Sequence, residues 1–154
     1  MGKPGKSLPC YVLQPLGAGI LLALLLWGAD CFIPGLVSLS IGSSAFTAAI
    51  FPRQKQSSPR NLLGGYLCGV AVGLLFFYLR AGIALPSAVW VCGAVSLTMF
   101  LMLLLDCRHA PGVSLALGVF FSGRPSLTSA AALVGIVLIC LAKELNKGWM
   151  QDLG

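Results

Sequence analysis

His109, the single histidine of the chain, stands in the run Asp106-Cys107-Arg108-His109-Ala110-Pro111-Gly112, directly before an apolar segment. An imidazole titrates close to physiological pH and can donate, accept or carry a proton. Proline is well placed at a first helical turn, because its missing N–H would have no partner there. The amides that follow, from Gly112 to Ser114 and Leu115, are expected to point out of a helix start. Together with the positive end of the helix dipole they would form an anion-binding arrangement. Lipid offers such amides no partner, so a ligand or a wet cavity would have to do so. The plainer alternative is an interfacial loop in which Arg108 and His109 face head groups.

An earlier stretch, Gly42-Ser43-Ser44-Ala45, is small and carries hydroxyls. Small residues permit helices to approach closely, so most of the stretch reads as packing, with Ser43 and Ser44 expected to line a cavity. Arg60, Arg108 and Arg124 flank apolar segments. They can snorkel to the interface or draw anions to a pore mouth. Asp30 and Asp106 end two apolar runs, where a carboxylate opposes the helix dipole. Each is expected to cap the next segment or, alternatively, to relay protons; Arg108 is a possible partner for Asp106. No catalytic arrangement emerges. Ser114 is the only hydroxyl close to His109 in sequence, and a five-residue spacing does not place the two on one helical face. The six cysteines form no C-x-x-C pair and read as small buried hydrophobes; no metal or cofactor is expected.

The elements that would hold these residues are set by composition. Of 154 residues 58% are hydrophobic and 9% charged, against roughly 25% charged in a soluble domain. So few charges cannot coat a water-soluble globule, and the chain reads as a single all-α integral membrane domain over residues 1–154. The apolar runs span residues 11–29, 32–51, 62–79, 86–105, 110–122 and 126–142. A crossing takes around 20 helical residues, so six runs leave no room for a soluble domain. Lys3 and Lys6 precede the first run in the manner of a signal peptide; the run is expected to be a retained helix. The net charge of +6 reads as orientation and head-group contact, since no basic segment carries the interleaved aromatics of a nucleic-acid binder.

A shift of 76 residues superposes Gly17-Ala18 on Gly93-Ala94, Asp30-Cys31 on Asp106-Cys107, Val37-Ser38-Leu39 on Val113-Ser114-Leu115 and Gly42 on Gly118. Leucine coincidences are cheap in this composition, but the chain has only three aspartates. Two three-segment halves follow, at about 11–79 and 86–142, with short or broken second and fifth segments. If all six segments cross, the basic residues split eight to two across the membrane, with Arg80 and Arg124 on the sparse side. If the second and fifth are re-entrant the split is five to five. The excess of Lys and Arg on cytoplasmic sides favours six segments, both termini cytoplasmic, and halves inverted relative to each other as in many transporters. A half-helix in the fifth position is the alternative.

Three stretches resemble the HPP family of small integral membrane proteins, which is named for a His-Pro-Pro motif. They are His109-Ala110-Pro111-Gly112 with the small residues after it, Gly42-Ser43-Ser44-Ala45, and Ser58-Pro59-Arg60-Asn61-Leu62-Leu63-Gly64-Gly65. The likeness covers about Pro15 to Ala142. Ala110 replaces the first proline of the motif, Val113 a glycine, and Tyr66 stands where the family often has His. Some HPP members are implicated in nitrite transport, so the resemblance implies a small inorganic anion as substrate. The expectation is a transporter or channel for such an anion, in a bacterial inner membrane, able to form homo-oligomers. The other reading is a non-transporting membrane subunit that assembles with or regulates a partner complex.

Overall fold

The computed structural model describes residues 8–27 and 35–153. Asp30, expected as a cap or proton relay, lies outside them. The described residues form six α-helices: α1 (Leu8–Trp27), α2 (Gly35–Ile50), α3 (Pro59–Leu79), α4 (Ser87–Leu104), α5 (Pro111–Phe120) and α6 (Pro125–Asn146). They contain no strand. A short 3₁₀ turn, Lys55–Ser57, lies between α2 and α3. Helices α3, α4 and α6 are long and apolar enough to cross a membrane. Apolar side chains also cover the outside: Met99, Phe100, Leu103 and Leu104 on α4, and Val12, Leu16, Ile20 and Leu24 on α1, are all exposed. That surface is stable only against lipid.

The apolar runs and the helices differ most at starts and ends. Helix α3 begins three residues before its apolar run because Ser58 accepts a hydrogen bond from the Asn61 amide and Pro59 occupies the first turn. Helix α6 continues past Ala142 to Asn146, since the buried stem of Lys143 belongs to its packed face. The second segment is not broken: α2 is continuous over 16 residues. The fifth is short, with 10 residues spanning about 15 Å at the α-helical rise.

Contacts fix the direction of each helix. Helices α3 and α5 run parallel in a constant register. A Cβ added at Gly69 would collide with the Gly112 carbonyl, and one at Gly73 would lie 2.7 Å from the Ala116 carbonyl. At the far end the Arg80 guanidinium lies 5.0 Å from both the Phe77 and Phe120 ring centres. Helix α5 therefore starts beside Gly69, well inside α3, and finishes level with the end of α3. The connection before it, Leu105 to Ala110, descends along the first turns of α3 and covers the depth that α5 does not. Loop and helix together traverse the bundle, so a ten-residue helix is compatible with a six-segment path.

The beginning of α1, the 51–58 connection, the start of the α4–α5 connection and the C-terminal segment meet at one end of the bundle. The Gln14 side chain donates to the Ala49 and Gln151 carbonyls and accepts from the Gln151 amide. Lys143 Nζ donates to the Ser57 carbonyl, and the Arg53 amide to Asp152. The core between the helices is built from Val37, Ile41, Leu62, Tyr66, Leu115, Val119 and Ile136, each 1% exposed or less.

Candidate functional site

The Ser58-Pro59-Arg60-Asn61 stretch does more than start α3. One guanidinium N–H of Arg60 donates to the Leu105 carbonyl at 3.1 Å, and the side-chain Nδ2 of Asn61 to the Arg108 carbonyl at 3.4 Å. Lys55 Nζ holds the Asp106 carboxylate at 2.9 Å. Three residues around the start of α3 thus grip the connection that carries His109. Asp106 itself has φ 47°, the left-handed region that Asp tolerates better than most residues. The Cys107 amide reaches back to the Met102 carbonyl and the Asp106 amide to that of Leu103, the paired bonds that close a helix C-terminus through a left-handed residue. Asp106 therefore terminates α4 and does not cap α5. Its separation from Arg108 is 3.9 Å, so Lys55 is the stronger partner. That ammonium holds the Asp106 carboxyl below the usual carboxylate range.

Gripped in this way, the connection turns inward and buries His109 to 3% exposure. Gly65 makes the room: a Cβ there would lie 2.5 Å from His109 Cβ. The imidazole Nε2 sits 2.8 Å from Ser44 Oγ. Ser44 Oγ also lies 2.9 Å from Tyr66 Oη and 2.9 Å from the Ser40 carbonyl. Ser40 Oγ donates to the Pro111 carbonyl at 2.6 Å and lies 3.3 Å from Tyr66 Oη. The Tyr66 and His109 rings tilt across each other, with centres 5.9 Å apart. Ser40, Ser44 and Tyr66 are fully buried. Four polar side chains from α2, α3 and the α4–α5 connection thus form one hydrogen-bonded cluster inside an apolar bundle.

The protons in the cluster can be counted. Ser44 has one hydroxyl proton, and the Ser40 carbonyl can only accept, so that proton is committed there. The contacts from Tyr66 and His109 to Ser44 are then both donated to it, by the phenol and by Nε2–H. This assigns the Nε2–H tautomer of the imidazole from the network. Among the described residues His109 Nδ1 has no hydrogen-bond partner. In this network the imidazole carries its proton on Nε2 and leaves Nδ1 as its acceptor nitrogen.

Of the residues singled out in the sequence, the fold joins His109 and Ser44. Ser43, one position on, is exposed, and its hydroxyl turns back to the Ser40 carbonyl at 3.0 Å. Ser114 is half-buried on α5 and Gly112 is packed against α3. The expectation of unpaired amides at the start of α5 is corrected: the Gly112 amide donates to the His109 carbonyl at 2.9 Å and the Val113 amide to the Ala110 carbonyl at 3.0 Å. Ala110 is already helical in φ and ψ, so the turn before the helix uses the donors an anion would have needed. Arg60 and Arg108 are exposed at the end where the connection starts, and Arg124 is exposed before α6 with its amide bonded to Ser122 Oγ.

A family model described as HPP, transmembrane region, matches residues 4–149. The chain belongs to the HPP family. No curated protein and no solved structure matches it. In this HPP chain Ala110, which replaces the first proline of the family's motif, is exposed and outside the cluster, whereas Tyr66 is one of its four members. Sequence reading missed Ser40 and gave Tyr66 no role in a site. Two signals were available: Ser40 and Ser44 are one helical turn apart, and Tyr66 is a hydroxyl in the middle of an apolar helix.

Proposed function

We propose that this HPP protein moves a small inorganic anion across a membrane, with nitrite the first substrate to test. The reading is carried by the Ser40–Ser44–Tyr66–His109 cluster, buried where α2, α3 and α5 meet. A buried imidazole in a membrane bundle is costly to keep and leans towards function. The cluster supplies hydroxyl and Nε2–H donors that a small anion could take over by displacing the bonds the side chains make to one another. Arg60 and Arg108 at one end and Arg124 at the other would raise the local anion concentration at the two mouths. The reading includes no catalysis, since the proton count makes Ser44 an acceptor from the imidazole and leaves it without a base. It also includes cytoplasmic termini and the relation between halves read from the repeat, which the opposite directions of α1 and α4 support.

One observation favours a second reading. Ser40, Ser44, Tyr66 and His109 Nε2 bond to one another and to backbone carbonyls, as in a polar core that fixes helix packing in a non-transporting membrane subunit. Nitrite uptake into proteoliposomes separates the two. The transport reading expects protein-dependent uptake that Ser44→Ala lowers by about tenfold, the value of one lost hydrogen bond of about 1.4 kcal/mol, while Ser43→Ala leaves it unchanged. If the native protein moves neither nitrite nor any other small anion, the subunit reading takes its place.

A further inference from the structure

The cluster lacks one thing that a bare anion needs. Lys55, Arg60 and Arg108 are exposed, and Lys55 and Arg108 share Asp106. Lys143 on α6 is turned to the Ser57 carbonyl and Glu144. Toward the imidazole itself α2 presents Ser44 and α3 presents Tyr66 and Gly65, with the Cys140 thiol of α6 close to Tyr66. Helix α5 carries no ionisable side chain, and α4 contributes Met102 nearby. Phenols and thiols at their ordinary pKa values are neutral at pH 7. A desolvated anion at this point would meet hydroxyl dipoles but no counter-charge among the described residues, and an unpaired buried charge is among the most expensive things a protein can hold.

The cluster does offer a place for a proton. His109 Nε2–H is spent on Ser44, and Nδ1, the basic nitrogen of the neutral ring, has no partner among the described residues. We propose that the solute enters this site together with a proton, as the conjugate acid of a weak acid hydrogen-bonded to His109 Nδ1, so that transport is electroneutral. The inference rests on the transport reading above. The step balances simply: one proton and one anion arrive on one face as HA, or equivalently as imidazolium and A⁻, and both leave on the other. His109 returns to the neutral ring with its Nε2–H still on Ser44. Selectivity follows from acid strength. Nitrite and formate have conjugate acids that can be populated near neutral pH; chloride and nitrate do not.

The test uses the full chain in liposomes with a lumenal pH dye and a potassium-clamped membrane potential, each reading corrected for protein-free vesicles. The expected result is nitrite and formate entry with one proton per solute and the same rate at either sign of the potential. That rate should climb about tenfold for each pH unit lowered at fixed total anion, since the acid fraction does so above its pKa. Chloride and nitrate should not enter. His109→Gln keeps a donor at the Nε2 position but removes the basic nitrogen; with thermal stability and monodispersity preserved, it should lose at least about tenfold of the proton-coupled entry. Entry driven by the potential without a proton, entry of chloride at the nitrite rate, or unchanged proton coupling in His109→Gln would each overturn the inference while leaving transport standing. The absence of protein-dependent entry for all four anions would remove the transport reading together with it.

Discussion

At the scale of single residues, the site is defined by what protons are already doing. Ser44 accepts from both the Tyr66 phenol and the His109 ring, so Ser44→Ala leaves two buried donors without their acceptor, a loss of about 1–3 kcal/mol that thermal unfolding in detergent should show. A Ser44→Ala chain as stable as Ser43→Ala would contradict the network. Asp106 makes a second residue-scale case. With φ at 47°, Asp106→Ala should cost about 1 kcal/mol, whereas Asp106→Gly should be close to neutral, losing an exposed ion pair but gaining a relaxed turn. A stability order with Ala above Gly would contradict the left-handed helix end. His109 and Ser44 were legible in the sequence because histidine is rare here and hydroxyls stand out in apolar runs. That they bond to each other was not, since the pairing joins positions 65 residues apart and no local pattern encodes it.

At the scale of elements, the site exists because α3 and α5 touch backbone to backbone. Gly69 has the Gly112 carbonyl where its Cβ would be. A methyl group there must push the helices apart, an overpacking that costs about 1–3 kcal/mol or more, and the shift would reach His109 one turn away along α3. Gly42 on α2 is the control: its Cβ would meet Leu22 Cδ2 at 3.6 Å, ordinary contact. Gly42→Ala should stabilise by up to about 1 kcal/mol, the usual gain for alanine over glycine in a helix. Gly69→Ala should lower the melting temperature and weaken the His109–Ser44 bond, measurable as a changed imidazole NMR shift. A Gly69→Ala chain as stable as Gly42→Ala would mean that the helices are not in the contact described. Five of the six helices are recognisable as apolar runs of near-crossing length. The fifth run could be read two ways because its depth depends on the grip of Lys55, Arg60 and Asn61 on the connection before it. Those residues lie far upstream, and they decide where α5 can start.

For the whole molecule, the question is which connections share a side. The hydrogen bonds of Gln14, Arg53 and Lys143 tie the α1 start, the 51–58 connection and the C-terminal segment into one end, and Lys55 and Arg60 add the start of the α4–α5 connection. Basic residues Arg53, Lys55, Arg60, Arg108, Lys143 and Lys147 belong to that end, while Arg80 and Arg124 sit at the other. Among the described residues the basic side chains thus divide six to two between the two ends. Because α5 is short, the path of the chain turns on Gly123, which follows it: if the connection and α5 together complete a crossing, Gly123 emerges opposite the 51–58 connection. Single cysteines introduced at the exposed positions Gln56, Gly82, Gly123 and Gly148 in a chain stripped of native cysteines test this with an impermeant thiol reagent. Gln56→Cys and Gly148→Cys should be labelled from one side, the cytoplasmic one by the excess of Lys and Arg. Gly82→Cys and Gly123→Cys should be labelled from the other. Labelling of Gly123→Cys together with Gln56→Cys would make the fifth segment re-entrant. His109 would then close a pocket reached from one side only, and a route through the cluster would be lost.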